Sequence, residues 1–375
     1  MTPLQAATHA DPYGYYAGLR RNAGLLFDVG LGLWVASRAQ TVEAVLVHPD
    51  CGVRPLHEPV PAAIAQRAAG QVFAQLMRMN EGVAHRCPRA AVQPALAGVS
   101  ARQVAGAVQH LCGDATQLDD WMLRLPVSVI AHLLGFPGDQ LGVVAELTRN
   151  FVACLSPLSD EAQLRNADLG ASQLRQMFSD VFEETALLAA IRSGEWLGAD
   201  VLNANLIGLL SQTCEASAGL IGNTLVVLAR RPDLLEQVQR TPALAMALVE
   251  EVARYDAPVQ NTRRFVARRC TIGGQVLEVG DTILVLLASA NRDGDANPDP
   301  DSFLLERPQR RIFSFGVGRH HCPGQQLALT LASQVILALL QRQPVLPIPF
   351  SYWPSLNGRI PQFHHAAPGP HVVNG

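Results

Sequence analysis

Lysine is absent from this sequence, and all 29 positions counted as lysine or arginine are arginine. We attribute this absence to coding bias rather than to function. Charged residues of either sign are also few, at 16% of the chain, whereas hydrophobic residues make up 49%. A chain of this composition can bury a large core and an apolar cofactor as well. The formal net charge of −3 provides no overall attraction to nucleic acid, so we expect no nucleic-acid partner.

Signals for disulfides, export and membrane insertion are also lacking. The seven cysteines are scattered and form no CxxC pair, which argues against a disulfide framework and favours a reducing compartment, the cytoplasm. Residues Met1–Tyr16 contain neither a basic leader nor an apolar run, so we expect no signal peptide and no membrane anchor. The most apolar long segment, Leu206–Ala229, is interrupted by Gln212, Glu215 and Asn223. A lipid-facing span would not carry those residues, so we interpret it as a helix buried in protein.

Long helical patterns dominate the middle of the chain, and there is no internal repeat or linker. Thr241 followed by Pro242 is a favourable helix start, because a capping hydroxyl precedes a proline at the first helical position. Hydrophobic periodicity predicts helices over Asp160–Ser193, Asp200–Arg231, Pro242–Tyr255 and Pro323–Arg342.

Strand-like segments are short and lie towards both ends of the chain. Gly273-Gly274 is typical of a hairpin turn. The prediction is a mainly α protein with small β-sheets before residue 60 and after residue 260, folded as one domain over residues 1–375. The predicted strands are Leu25–Val29, Leu33–Ala36, Thr271–Ile272 and Thr282–Leu287.

The most informative stretch is Phe-Ser-Phe-Gly-Val-Gly-Arg-His-His-Cys-Pro-Gly-Gln-Gln-Leu-Ala-Leu, residues 313–329. Gly316 and Gly318 allow tight turns and a close approach to a flat ligand. Pro323 after Cys322 suits a first helical position, so we expect a helix to begin directly after the thiol and its dipole to favour the thiolate. A thiolate is a strong donor to haem iron and promotes cleavage of an O–O bond.

Neighbours of this cysteine also fit a haem site. Phe315 is placed to shield the sulfur, and Arg319 and His320 are candidates for pairing with a haem propionate. An isolated cysteine in a glycine-rich turn is usually structural, but the pattern Phe-Gly-x-Gly-x-His-x-Cys-x-Gly, which ends at Gly324, is highly specific. It resembles the cytochrome P450 family, and the resemblance extends over nearly the whole chain.

The resemblance implies a triangular, prism-like helical body with small sheets around a buried haem b (iron protoporphyrin IX), whose iron is held by Cys322. It places these residues at the cofactor: His85, Arg89, Arg264, Phe315, Gly316, His320, Cys322 and Gly324.

Two spaced pairs support the resemblance. Glu251 and Arg254 share a helix face, and alone they would be an ordinary surface ion pair. In the family this ExxR pair is joined by an arginine from the loop before the cysteine, which Arg307 matches, and the trio supports the fold and the cysteine loop. The second pair is HxxxR, formed by His85 and Arg89.

On its own the HxxxR pair could be a solvated helix face, whereas in the family it contacts the haem propionates. Pro88 lies between His85 and Arg89, so we expect any helix here to begin near Pro88. Arg264, with Arg263 as the alternative, matches a further propionate partner, and bidentate arginine suits carboxylates.

The segment Asp200–Arg231 resembles the helix that crosses the distal face of the haem, where the family usually carries Ala-Gly-x-acid-Thr. Here Gln212 and Thr213 replace the small pair, Glu215 keeps the acid and Ala216 replaces the threonine. The family threonine helps to hold water and deliver protons, and its loss lets peroxide leak. The Glu-Ala-Ser triplet resembles macrolactone hydroxylases of the family, in which a substrate hydroxyl helps to organise the proton relay.

Other side chains of this helix are alternative proton carriers. Ser217 points about 100° away from Ala216 and is a poor substitute for the threonine. Gln212, Thr213 and Ala216 share one helix face, so Thr213 could return a hydroxyl to the site. The alternative is that Gln212 and Thr213 merely bond the backbone of their own helix.

The resemblance implies a cytochrome P450 oxidoreductase, a monooxygenase that oxidises a small or medium organic molecule, with secondary metabolism as its setting. Electrons would come through a ferredoxin-type partner, because no fused reductase is visible, and the proton relay would be substrate-assisted. The alternatives are oxidative coupling or cyclisation, peroxide-driven oxidation, and a haem-binding protein without oxidase turnover in which Gln212 hinders oxygen.

We also expect a cytoplasmic monomer that contacts no membrane, with a basic docking face on the cysteine side built from Arg310, Arg311 and Arg319. The substrate has no recognisable motif. The segments that match the specificity-determining parts of the family are Gly52–Val72, Cys154–Arg192, Val259–Thr262 and Pro354–Ile360.

Overall fold

The computed structural model describes residues 1–22, 24–180, 184–342 and 349–364. Helices make up most of this structure, as predicted, and a π-helical turn over Asp120–Arg124 leads into α6. The α-helices are α1 Tyr13–Arg21, α2 Ala39–Val47, α3 Ala68–Gln75, α4 Val83–Ala97, α5 Ala101–Leu111, α6 Leu125–Leu133, α7 Leu141–Val152, α8 Glu161–Ser179, α9 Ala186–Arg192, α10 Ala199–Arg230, α11 Pro232–Arg240, α12 Ala245–Tyr255, α13 Leu287–Asn291 and α14 Gln325–Leu340.

The strands fall before residue 60 and after residue 260, which confirms the predicted distribution. The larger sheet has the order β1-β2-β7-β4-β3, and only the β2–β7 pair in it is parallel, with Trp34 opposite Ile283. Strands β5 and β6 form the predicted hairpin around Gly273 and Gly274, which both have positive φ. The strands are β1 Leu25–Asp28, β2 Leu33–Ala36, β3 Cys51–Gly52, β4 Thr262–Val266, β5 Cys270–Ile272, β6 Gln275–Leu277, β7 Thr282–Val285, β8 Phe350–Tyr352 and β9 Pro361–Phe363.

The prediction of one helix over Asp160–Ser193 is wrong, because α8 and α9 are separate helices. Asp160 caps α8 by accepting a hydrogen bond from the amide of Gln163. The Thr185 hydroxyl accepts from the amide of Leu188 and so caps a new helix. A capping side chain that accepts from a free backbone amide marks the start of a new helix. Hydrophobic periodicity does not detect such a cap, so it predicts one continuous helix here.

Two expected helix starts also differ from the structure. Thr241 makes no side-chain cap, and Pro242 opens a 3-10 turn that precedes α12. Helix α4 begins at Val83 rather than near Pro88, which lies inside it. The proline costs this helix an internal hydrogen bond, and Pro88 lies among the buried residues of the helix, where packing stabilises it.

Helix α10 is the central element of the fold. It packs against α3, α6, α7, α8, α12 and α14, and its residues are buried almost continuously on both sides of a short accessible stretch around Gln212–Ala216. A buried helix with a polar interruption faces a recess at that point. Within the described ranges, no helix combines the length and apolar character needed to cross a membrane.

Candidate functional site

The loop that carries Cys322 is held in place by its own backbone and by α12 and α13. The amide of Cys322 donates to the carbonyl of Phe315 at 2.8 Å, which closes the loop. Ser314 Oγ donates to the carbonyl of Ala253 at 2.6 Å, and the Phe313 amide donates to Asn291 Oδ1 at 2.6 Å. The loop is therefore fixed at both ends before any ligand is considered.

Glycine is required at two positions of this loop. Gly316 has φ +69 and Gly318 has φ +73, values that side chains rarely adopt. A Cβ on Gly318 would also come within 2.9 Å of Val47 Cγ1 on α2. These contacts let the loop lie tightly against the α2 side of the protein.

The expected helix after the thiol begins two residues later than predicted. Pro323 lies in a turn, Gly324 is the N-cap of α14, and the helix starts at Gln325. Burial raises the pKa of the Cys322 thiol, although the Gly324 amide and Arg89 act in the opposite direction. The helix start thus favours the thiolate as expected, but burial has the larger effect.

Glu251 lies at the centre of a buried ion-pair network behind the loop. Arg254 donates to its carboxylate through two nitrogens, Nε at 3.0 Å and Nη2 at 2.6 Å, and Arg307 Nε donates at 3.1 Å. The Leu304 amide also donates to Oε1 at 3.0 Å. Burial alone would raise the pKa of Glu251, but these donors hold it below its usual value. The structure thus joins the three residues of the predicted trio.

The sequence interpretation missed a fourth member, Arg310. Its Nε donates to Glu251 Oε2 at 2.9 Å, and it also pairs with Glu250. The three arginines of the predicted basic docking face all have acidic partners: Arg310 in this network, Arg311 with Glu43, and Arg319 with a glutamate of the α3–α4 segment. These ion pairs could not be predicted from the spacing of charges, because the partners lie far apart along the chain.

That glutamate, Glu81, organises the side of the loop near α4. It lies 3.1 Å from His320 Nε2 and 2.9 Å from Arg319 Nε. Arg319 also donates to the carbonyls of His48 and Cys51, so its guanidinium is directed towards α2 and β3. Burial alone would raise the pKa of Glu81, but His320 and Arg319 lower it to about 2.

The three predicted propionate partners lie around this cluster. The ring of His85 stacks on that of His320, with the centroids 4.2 Å apart, and burial with nearby positive groups lowers the pKa of His85 to about 4. Arg89, one turn along α4, donates to the carbonyl of His321 at 2.7 Å. Arg264 on β4 is buried, whereas its alternative Arg263 is partly buried.

Arg264 is the predicted propionate partner whose hydrogen bonds are least complete within the protein. Its Nη1 donates to the carbonyl of Arg263, but its buried Nε has no partner among the residues that the structure describes. Burial lowers the pKa of this guanidinium to about 10. A buried, unsatisfied arginine nitrogen fits a ligand that carries carboxylates, so Arg264, together with His85 and Arg89, suits a haem with two propionates.

The distal helix α10 exposes the expected face to the recess. Gln212, Thr213, Glu215 and Ala216 are accessible or partly accessible, whereas Cys214 is buried. Gln212, Thr213 and Ala216 lie three and four residues apart within α10, so they share one face of this helix. Ser217 is also buried, in accord with the prediction that it points elsewhere.

The two polar replacements bond to their own helix. Gln212 Nε2 donates to the carbonyl of Gly208 at 3.1 Å, and Thr213 Oγ1 donates to that of Leu209 at 2.8 Å. These bonds match the alternative in which both side chains merely satisfy the helix backbone. Because its proton is already engaged, the Thr213 hydroxyl has only its oxygen lone pairs left for the recess.

Glu215 differs from these neighbours. Its side chain is accessible, yet the protein around it raises the pKa of its carboxyl through desolvation, which Arg78 partly offsets. An accessible carboxyl in a desolvating environment faces an interior recess rather than the outer surface. Sequence reasoning did not find Arg78, which lies far from Glu215 along the chain.

Comparison with known proteins identifies similar chains. A family model described as Cytochrome P450 matches residues 223–359. The chain is 28% identical over 362 residues to "Putative cytochrome P450 133B2" of Xylella fastidiosa, covering 90% of each chain. It is 31% identical over 244 residues to "Cytochrome P450 monooxygenase PikC" of Streptomyces venezuelae, covering 64% of this chain and 59% of that relative. The alignments with relatives above 30% identity span 54–60% of the length of those relatives.

Solved structures extend the similarity to nearly all of the fold. The complex of P450BioI with hexadec-9Z-enoic acid ligated Acyl Carrier Protein matches with a TM-score of 0.81 at 25% identity, over 94% of this chain and 97% of that chain. The predicted fold, a mainly α body with small sheets of this architecture, is confirmed.

Proposed function

We propose that this chain, which is similar to cytochrome P450 proteins over most of its length, is a haem-thiolate monooxygenase of that family acting on a small or medium organic molecule, one of secondary metabolism. The observation that carries this proposal is the cysteine loop. It holds Cys322 at the end of a prebuilt, glycine-dependent turn that contacts His85 and Arg89 of α4 through His320 and His321.

The residues present fit haem b. Cys322 would be the iron ligand, and His85, Arg89 and Arg264 would bind the propionates, with His320 behind His85. Phe315, Gly316 and Gly324 would form the wall around the sulfur. When bound, a thiolate-ligated haem supplies the activation of dioxygen. The protein supplies charge compensation and a fixed sulfur position.

Proton delivery would begin at Glu215. Its carboxyl lies in the distal recess with a raised pKa, so it can hold a proton closer to neutral pH than an ordinary glutamate. Ala216 offers no hydroxyl to pass the proton on, and the Thr213 hydroxyl is bonded to Leu209. A hydroxyl of the substrate, with ordered water, would complete the relay, and Gln212 would border the substrate.

Electrons would come from a separate ferredoxin-type protein that docks on the cysteine side. The three arginines expected to attract it are all paired with glutamates. Docking would therefore depend on shape and local contacts more than on a strong positive field. The enzyme would work as a monomer in the cytoplasm.

The test begins with a ligand screen that follows the low-to-high-spin shift of the haem Soret band. A compound that shifts the band is then incubated with ferredoxin, ferredoxin reductase and labelled dioxygen. Label in the product supports oxygen insertion. Product without label would identify oxidative coupling, and product only after added peroxide would identify peroxide-driven oxidation. The absence of both electron consumption and product with every bound compound would contradict an oxidase function.

A further inference from the structure

Arg78 carries an uncompensated charge inside the protein. It is the middle residue of the 3-10 turn Met77–Met79, just before α4. Across the described ranges, no hydrogen bond or ion pair reaches its guanidinium, and its Nε is fully buried. Burial lowers its pKa. The side chain as a whole is partly buried, so a ligand that carries the opposite charge would be stabilised beside it.

The backbone that presents Arg78 is fixed to the distal helix. The Met77 amide donates to Asn205 Oδ1 at 2.8 Å, and Asn205 Nδ2 donates to the carbonyl of Gln75 at 3.0 Å. Asn80 Nδ2 closes the same turn by donating to the carbonyl of Leu76 at 2.8 Å. Neither asparagine lies in a surface loop, since both are buried. The position of Arg78 is therefore set before a ligand arrives.

The turn that carries Arg78 lies against the distal helix. Its Met77 amide is bonded to Asn205 of α10, the helix that also carries Glu215 and borders the recess. The charges of Glu215 and of Cys154, just after α7, both act in the direction that raises the pKa of Arg78, and Glu215 does not come within ion-pair distance of it.

We infer that Arg78 is the anchor of a carboxylate subsite, and that the substrate is an organic acid bound through its ionised carboxylate. The inference rests on the proposed function only in taking this recess as the substrate site. A planar guanidinium binds a carboxylate through two parallel hydrogen bonds. The subsite selects a free acid over an ester or a thioester, which lack the negative charge.

The test compares binding of acids with that of their methyl esters. A panel of alkanoic and arylalkanoic acids of increasing length, each with its ester, is titrated into the holoenzyme by calorimetry and by the Soret shift. For acids that bind, we expect wild type to prefer the acid by at least about tenfold. Arg78→Gln should remove this preference and Arg78→Lys should retain part of it.

The matched control is Arg102→Gln, at an exposed position of α5, which should leave the preference intact. Equal affinity of wild type for acid and ester, or equal weakening of both by Arg78→Gln, would overturn the inference. Haem content and the carbon monoxide spectrum should be normal in every variant. If wild type lacks normal haem content or the thiolate carbon monoxide spectrum, the proposed function is wrong, and that result is distinct from a failure of the subsite.

A second measurement tests whether Arg78 has a binding role or a structural role, even if no acid of the panel binds. Arg78→Met removes the unpaired charge but keeps an apolar stem, so without ligand it should raise the thermal midpoint of the holoenzyme above that of wild type. Arg102→Met should leave the midpoint nearly unchanged. A lower midpoint for Arg78→Met would show that Arg78 is a structural residue and would overturn the subsite.

Discussion

Arg310 Nε lies 2.9 Å from Glu251 Oε2, although the two residues are far apart along the chain. This contact brings the loop before the cysteine onto α12, at a carboxylate that already binds Arg254 and Arg307. One buried anion is thus shared by three arginines. The loop that leads to Cys322 is held by charge as well as by backbone contacts.

Removing Arg310 should destabilise the protein far more than removing an exposed arginine of the same loop. The side chain of Arg310 is 10% exposed and that of Arg311 is 44% exposed. We expect Arg310→Ala to cost about 3–5 kcal/mol of unfolding free energy, and Arg311→Ala about 0–1 kcal/mol. Urea denaturation measures both. Equal losses would contradict the buried role of Arg310.

Stability should depend on the charge of Glu251. Its pKa is lower in the folded protein than in the unfolded chain, so its ionised form stabilises the fold above the ordinary glutamate pKa of about 4.3. This stabilisation is lost as the pH falls through the lowered folded value. The difference in thermal midpoint between wild type and Glu251→Gln should therefore narrow on acidification from neutral pH. A constant difference would refute the assignment.

The propionate assignments predict graded loss of haem. His85→Ala, Arg89→Ala and Arg264→Ala should each weaken haem binding by about 1.5–3 kcal/mol, the value of a charge-assisted hydrogen bond. Haem transfer to an acceptor protein measures this loss, and the remaining haem should keep a thiolate spectrum. Arg263→Ala is the control, because Arg263 is the partly buried alternative to the buried Arg264. Normal retention in the first three variants would show that these roles belong to other residues.

Coupling of electrons to product should depend on the substrate hydroxyl rather than on Thr213. The Thr213 proton is engaged by the carbonyl of Leu209, so Thr213→Val should change peroxide release by less than about twofold. A deoxy analogue of the substrate should bind but divert electrons to peroxide. Ala216→Thr should not improve coupling with the true substrate and should help only with the analogue. Increased peroxide from Thr213→Val with either compound would instead assign the relay to Thr213.

The local pattern around Cys322 was enough to predict the fold and the position of the cysteine loop. Periodicity also located α10, whose predicted bounds Asp200–Arg231 differ from the observed ones by a single residue at each end. The sequence prediction failed at two helix boundaries. The local Thr185 cap divides a predicted helix, and Pro88 lies buried inside α4.

The electrostatic partners were the least predictable part of the site. Arg310, Arg311 and Arg319 form a basic cluster in the sequence, but Glu251, Glu43 and Glu81 neutralise them from other elements. Arg78 showed the reverse problem, since only the structure reveals that it has no partner in the described part of the chain. Charge spacing along a chain does not determine which opposite charges the fold brings near.

The central claim is that Cys322 is the thiolate ligand of a haem, and the spectrum of the reduced carbon monoxide complex tests it most directly. Wild type should show the long-wavelength Soret band typical of thiolate ligation, and Cys322→Ala should lose it. The matched control is Cys214→Ala, which removes a buried thiol from the distal helix and should keep the band. Persistence of the thiolate band in Cys322→Ala, or its loss in Cys214→Ala alone, would contradict the account.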